Sequence, residues 1–304
     1  MKRSYFIYCL SIFPLFIFEF CDLEILNDEA KREVLLSIQY DDVIGPLVIK
    51  DIVYNGFRGS NHLQGMSFDA NTLYLSNTKQ LLSYDLVKRK VFEGQSCKDM
   101  APMSCKAFHF GDPSFYDGSL WVPLSTAKAW EREVTCTLNK VMLYPEGNID
   151  KESVPISYFL DYPGHIGAME IMDGKLFVSG KNIDSTWPHD DNCHKDQLVY
   201  IYTIEDLKVN ICNVHSGLIK FKANGRNGIQ NLARFDDSHL LVSTYKCEDD
   251  PNYYVYRLNV ENGAVSLFQN ENWPYGIALS DSGLLYFGKD NRKSTNIYVF
   301  GLNP

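Results

Sequence analysis

The chain lacks a surplus of basic residues and several common enzyme motifs. Its 29 Lys and Arg stand against 38 Asp and Glu, for a formal net charge of -9. That balance repels phosphate backbones and anionic lipids, which argues against nucleic acid or a membrane surface as a partner. The sequence has no G-x-S-x-G elbow, no phosphate-binding glycine loop and no dinucleotide fingerprint, so three large enzyme classes have no motif here.

Long apolar runs are missing after the N-terminus. Lys2 and Arg3 precede an apolar run over residues 4–18, a pattern typical of a secretory signal peptide. We therefore predict that residues 1–21 are a signal peptide and that residues 22–304 form one secreted, extracellular domain. An uncleaved anchor is the alternative reading of the run. No later segment is long and apolar enough to span a bilayer, so we expect no stable membrane insertion after cleavage.

Cysteine is the other informative residue type. Six cysteines follow the predicted signal peptide, and an even number in an exported chain predicts disulfides. Their pairing stays open, because six cysteines allow 15 connectivities. The predicted disulfide cysteines are Cys97, Cys105, Cys136, Cys193, Cys212 and Cys247.

A glycine-containing segment recurs five times along the chain, at Gly65, Gly111, Gly167, Gly228 and Gly276. A hairpin signal follows each glycine, with Asp at its turn and apolar alternation on both sides. The five turns begin at Asp69, Asp117, Asp173, Asp236 and Asp281. The spacing between successive glycines of this set suits one four-stranded blade of a β-propeller. The sequence therefore predicts an all-β fold, a β-propeller with five blades, or six if residues 23–40 form a further blade.

Further strand patterns complete the blades. Alternating Tyr, Val, Ile and Leu mark a third strand in each repeat. Fourth strands are predicted at KVFEG, SYFLDY, KVNICNV (residues 208–214) and AVSLFQN. The fifth repeat has no fourth strand before Pro304, and the segment from Leu47 to Phe57 is predicted to supply it and close the ring. Closure removes an exposed sheet edge.

The first residues of the inner strands are the candidate site. In a propeller these strands line the central channel, so their first side chains converge at one mouth, which is the best prediction for a binding site. The predicted ligand-binding residues are His62, Gln64, His109, Asp112, His165, Asn227 and Tyr275, with Gln230 beside them.

Three readings of the histidines stay open. Neutral imidazoles bind transition metals, so His62, His109 and His165 are candidate ligands for a divalent metal ion, with Asp112 as a further ligand. Alternatively, they hydrogen-bond to water and backbone as structural groups, or they act in general acid and base chemistry.

Three resemblances accompany the repeat. The segment YGIALSDSGLLYFG (Tyr275 to Gly288) resembles the inner hairpin of propellers related to strictosidine synthase and paraoxonase. That group has a calcium-ligating asparagine where this chain has Tyr275, so the calcium-dependent hydrolysis it implies lacks one ligand. HLQGMSFDANTLYLSN with YDLVKRKV (His62 to Val91) is similar to a blade of plant-type glutaminyl cyclotransferases. A glutamate important in that family is replaced here by Ser76 and Asn77. The stretch 60–300 also resembles uncharacterised secreted propellers.

The sequence thus predicts a secreted, disulfide-stabilised propeller that binds a small molecule or an extracellular protein at the channel mouth. The alternative is a metal-dependent hydrolase or lyase with a histidine-lined central site, in which Asp112 is ligand or base. A third reading is an interaction protein that recruits a partner through its aromatic outer surface. Whether the chain is an enzyme stays open at this point.

Overall fold

The computed structural model describes residues 49–55, 63–96, 107–126, 139–181, 196–209, 212–223, 226–245, 253–269, 276–280, 283–290 and 295–301. These residues all belong to one compact unit, 39–304. The predicted signal peptide lies outside the described residues. Among the described residues, no helix is long and apolar enough to cross a bilayer.

The described strands form five antiparallel sheets, numbered here by the order of their inner strands. The first strand of the chain, β1 (Ile49–Asn55), belongs to sheet 5, described last. Sheet 1 has the order β2 (Leu63–Asp69), β3 (Thr72–Asn77), β4 (Gln80–Asp85), β5 (Lys90–Ser96). Sheet 2 contains β6 (Ala107–Phe110), β7 (Ser114–Tyr116), β8 (Ser119–Thr126), β9 (Asn139–Pro145) and β10 (Ile156–Phe159).

The second half of the chain repeats this up-and-down order. Sheet 3 contains β11 (His165–Met172), β12 (Lys175–Lys181), β13 (Asp196–Thr203) and β14 (Gly217–Lys222), with the short helix α1 (Ile204–Leu207) after β13. Sheet 4 contains β15 (Arg226–Arg234), β16 (His239–Tyr245), β17 (Tyr254–Asn259) and β18 (Val265–Gln269).

Sheet 5 joins the two ends of the described chain. It contains β19 (Ile277–Leu279), β20 (Leu284–Asp290) and β21 (Thr295–Gly301), with β1 as its outer strand. β1 pairs antiparallel with β21 from Ile49 opposite Phe300 to Asn55 opposite Asn296. The predicted closure by an N-terminal strand is therefore confirmed.

The sheets are arranged as a propeller. Each inner strand packs against the inner strand of the next sheet, in the cyclic order β2, β7, β11, β15, β19 and back to β2. Five apolar core clusters fill the spaces between successive sheets, including one between sheets 5 and 1 that contains Met66 and Tyr286. Burial of side chains of this size contributes about 1.5–3 kcal/mol each, so these clusters hold the ring together.

The blade number of the whole chain stays a prediction, because residues 1–48 lie outside the described part. Four of the five sheets have four strands and sheet 2 has five. The extra strand arises because the predicted inner strand HFGDPSF is divided at residues 111–113 into β6 and β7. Pro113 supplies no backbone N–H to a ladder, which explains the break.

The five predicted hairpins are confirmed, since each inner strand pairs with the strand that follows it. At two turns, Asp117 with Gly118 and Asp173 with Gly174, both residues have positive φ between 48 and 70°. This is the conformation that Asp-Gly favours in two-residue hairpins.

One predicted strand is wrong. KVNICNV is not the fourth strand of sheet 3, whose place is taken by β14 at Gly217–Lys222. Val209 and Val214 in the predicted segment are 77% and 70% exposed, so these two residues do not join a core. In β14, by contrast, Ile219 and Phe221 alternate into the core between exposed lysines.

Candidate functional site: the axial polar ladder

Three levels of polar contact follow the inner strands, and alternate residues of β15 mark them. The Gln230 side chain bonds to Gln64, the Leu232 N–H to Asp112 and the Arg234 N–H to Glu170. Because residues 230, 232 and 234 follow one another along β15, the three levels succeed each other along this inner strand. We call this set the axial ladder.

The first level joins sheets 1 and 4 through amides. Gln230 Nε2 donates to Gln64 Oε1 at 3.1 Å and to the Gln64 carbonyl at 3.3 Å. Asn231 Nδ2 donates to the same carbonyl at 2.6 Å, and its Oδ1 accepts from Ser243 and from the Gly276 N–H of sheet 5. Gln64 and Gln230 are each 4% exposed. The structure thus brings two of the predicted polar residues into direct contact.

The other predicted mouth residues have different outcomes. His165 is the first residue of β11 and is 3% exposed. The next residue, Ile166, donates its N–H to Ser125 Oγ, which in turn bonds to the buried Asn139. His62 and Tyr275 lie outside the described residues, as do the side chains of His109 in β6 and Asn227 in β15. The convergence of three histidines therefore stays a prediction.

Asp112 forms the second level and connects three sheets. Its side chain is fully buried; Oδ1 accepts from the Met66 N–H and Oδ2 from the Leu232 N–H, both at 2.9 Å. Its own N–H donates to the Gly167 carbonyl of β11 at 2.9 Å. Burial raises the pKa of Asp112 well above its usual value, and the negative charge of Glu170 adds to this, while the backbone N–H donors oppose it.

The repeated glycines allow this close approach. A Cβ on Gly65 would stand 1.9 Å from Asp112 Oδ1 and 2.3 Å from its Cα, and one on Gly276 would meet Met66 at 2.8 Å. No side chain fits at such distances, and Gly276 also has a positive φ of 84°, which favours glycine. The sequence repeat therefore reflects the packing of inner strands at the axis.

Glu170 forms the third level and was missed from the sequence. Its carboxyl, partly buried, accepts from the Ser114 hydroxyl, from its neighbour Ile171 N–H at 2.8 Å and from Arg234 N–H at 3.1 Å. Burial raises the pKa of Glu170 to about 7, against the opposing effect of these donors. The available signal was an acidic residue inside the apolar strand HIGAMEIM.

The described residues hold no group of three His, Cys, Asp or Glu side chains that could bind a metal ion. In the described part, both carboxyls of the ladder accept hydrogen bonds from neighbouring strands, which makes them joints between sheets. Of the six predicted disulfide cysteines, Cys97, Cys105, Cys136, Cys193 and Cys247 lie outside the described residues. Cys212 lies in the connection before β14.

Comparisons with known proteins give structural likeness alone. No protein-family model matches the chain, and no curated protein matches it. The PQQ-bound aldose sugar dehydrogenase of Streptomyces coelicolor is 11% identical, over 84% of this chain and 98% of that chain, with a TM-score of 0.48. A nidogen/laminin complex is 10% identical, over 76% and 73%, with a TM-score of 0.42. Neither likeness carries an argument about function, and the propeller rests on the sheet contacts above.

Proposed function

We propose that the chain is a secreted, disulfide-stabilised, five-bladed propeller that binds a small molecule or a protein partner at the channel mouth. The observation that carries this proposal is the Gln64–Gln230 amide pair, held at the first level of the axial ladder by Asn231. Amides fixed by such a network are preorganised for recognition, because little side-chain freedom is lost on binding.

The hydrogen bonds of Asp112, at the second level of the axial ladder, favour a binding function over a catalytic one. Each oxygen of Asp112 accepts a backbone N–H, so a base or metal ligand at this position would have to give up bonds that join sheets 1, 2 and 4. Loss of a buried hydrogen bond to a charged group costs about 1.5–3 kcal/mol. The hydrolase or lyase alternative would therefore depend on the histidines without Asp112.

The secretion, the disulfides and the blade number in this proposal each have separate support. The basic start and apolar run of residues 1–21 support secretion. Cys212 is disulfide-bonded, which supports a disulfide framework whose pairing stays open. The five sheets and the pairing of β1 with β21 support a five-bladed ring.

A thermal-shift screen of soluble metabolites and saccharides against the purified domain tests this function. We expect compounds that stabilise the wild type to lose affinity at least about tenfold in Gln230→Ala and Gln64→Ala, because about 1.4 kcal/mol corresponds to tenfold. The matched control is His239→Ala, which alters a polar side chain bonded to Asp236 at the β15–β16 turn. Ligands that bind all four proteins equally would place recognition elsewhere.

A further inference from the structure

Glu170 joins the inner strands of three successive sheets. It lies on β11, receives the Ser114 hydroxyl from β7 and receives the Arg234 N–H from β15. The Ile171 N–H, bonded to Oε1 at 2.8 Å, also approaches Ser114 Oγ at 3.2 Å. The carboxyl of Glu170 therefore accepts hydrogen bonds from sheets 2, 3 and 4.

Arg234 is the cation that acts on this carboxyl, and its positive charge lowers the pKa of Glu170 without overcoming the effect of burial. The guanidinium of Arg234 is bonded to Asp237 at 2.6 Å, and Arg234 reaches Glu170 through its backbone N–H. The other carboxyl of the ladder is Asp112, and the negative charge of Glu170 raises the pKa of Asp112. An ionised Glu170 thus places a negative charge beside a buried carboxyl at the axis of the ring.

Ser114 suits both protonation states of Glu170. A hydroxyl donates one hydrogen bond and accepts others. It can donate to an ionised Glu170, or accept the O–H of a protonated Glu170 after a rotation about its own C–O bond. The backbone N–H groups of Ile171 and Arg234 donate in either state. The hydrogen bonds of Glu170 therefore persist when its carboxyl changes charge. What changes is the electrostatic energy between this carboxyl and the other charged groups at the ring axis.

We propose that Glu170 is a proton-sensitive latch that makes the cohesion of the inner ring tighter in mildly acidic medium and weaker above neutral pH. The device goes beyond the proposed binding function and does not depend on it.

The direction follows from the surroundings of the carboxyl. Its pKa is raised from an ordinary 4.5 to about 7 in the folded chain. The folded state then binds the proton more tightly than the unfolded state, so the contribution to stability is complete below pH 4.5 and is lost as the pH rises through 7.

The other titratable groups around β11 are few. Asp112 and Arg234 are the charged groups that interact with Glu170, and Asp237 is bonded to Arg234. β12 places Phe177 opposite Glu170, and β8 carries no titratable residue. The remaining titratable residues are His165, at the start of β11 itself, and, on the strands packed around it, Tyr116, Lys175, Lys181 and Arg226.

The test is urea unfolding of the wild type and of Glu170→Gln at pH 5, 6, 7 and 8. Between pH 5 and 8 we expect the unfolding constant of the wild type to rise relative to the variant on the order of tenfold or more. Ser114→Ala removes a donor to the carboxylate and is expected to move this change to higher pH. If Ser114 acted in packing alone, its substitution would not shift the pH at which the unfolding constant changes.

Two further measurements decide the remaining outcomes. Glu205→Gln, the same substitution at an exposed position of α1, should keep the wild-type pH dependence. Parallel pH profiles for the wild type and Glu170→Gln would overturn the latch. Should Glu170→Gln fail to fold, a carboxyl ¹³C titration of the wild type replaces it. A Glu170 midpoint near 7 supports the proposal, and a midpoint below 5 rejects it.

Discussion

The backbone N–H of Leu232 donates to Asp112 Oδ2 at 2.9 Å, although 120 residues separate the two. The other oxygen of the same carboxyl receives the N–H of Met66. Asp112 of sheet 2 thus acts as a joint at the centre of the ring, because its carboxyl connects sheet 1 with sheet 4. This relationship gives the most direct mutational test of the fold.

We expect Asp112→Asn to lower the free energy of unfolding by about 2 kcal/mol. The amide NH₂ has no acceptor where one oxygen stood, so Met66 or Leu232 loses its partner in a buried position. Urea unfolding followed by tryptophan fluorescence measures the change. The control Asp117→Asn, at a turn where Asn is equally suitable, should stay within about 0.5 kcal/mol. Equal effects of the two substitutions would contradict the joint.

Gly65→Ala is expected to destabilise the chain by about 3 kcal/mol or more, because the new Cβ overlaps the backbone and side chain of Asp112. Gly217→Ala is the matched control. A Cβ there meets Ile201 at an ordinary 3.4 Å, so the change should be near zero. Thermal unfolding of the two variants compares them, and a mild Gly65→Ala would remove the packing explanation of the repeat.

Tyr144→Phe is expected to cost about 1 kcal/mol, since the Tyr144 hydroxyl donates to Gln95 Oε1 at 2.9 Å between sheets 2 and 1. The truncation leaves a buried carbonyl oxygen without its donor. Tyr158→Phe, at a partly exposed position of β10, serves as the control with a change within about 0.5 kcal/mol. Denaturant midpoints at constant slope measure both, and a reversed order of effects would contradict this account.

Removal of β1 should open the ring. A chain that begins at Gly56 leaves the edge of β21 unpaired, and an exposed strand edge promotes association between chains. Compared with a chain that begins at Gln39, we expect a lower melting temperature and a larger aggregated fraction in size-exclusion chromatography. Monomeric protein of unchanged melting temperature would show that β1 is dispensable.

The binding proposal also makes a prediction about metal. We expect protein purified without chelators to hold metal only in substoichiometric amounts, as measured by elemental analysis. A near-stoichiometric metal that disappears in the His109→Ala, His165→Ala double variant would instead favour the hydrolase or lyase. A matched double variant of His215, in the connection before β14, and His239, at the β15–β16 turn, controls for nonspecific loss.

The local features of the fold were the ones predictable from sequence. The hairpins at Asp117 and Asp173 were predictable because the geometry of such a turn depends on two adjacent residues. The fourth strand of sheet 3 was misplaced, because Val209 and Val214 have the composition of a strand but lie at the surface. Burial depends on neighbours distant in sequence, which composition does not record.

The candidate site was predictable in part. Gln64 and Gln230 were both named, and they are in contact. Asp112 was named as a mouth residue, but its bonds to Met66 and Leu232 place it within the ring. Glu170 went unnoticed, because one acidic residue in an apolar strand gains meaning only when Ser114 and Arg234 are known to surround it.

The pairing of β1 with β21 also constrains how the chain folds during its synthesis. Sheets 1 to 4 form from contiguous stretches and can assemble as they emerge, whereas β1 is made early and waits for a partner made late. Contacts between residues so distant along the chain are slow to form. We therefore expect ring closure to be a late step of folding, and until then the unpaired edge of β1 is open to association with other chains.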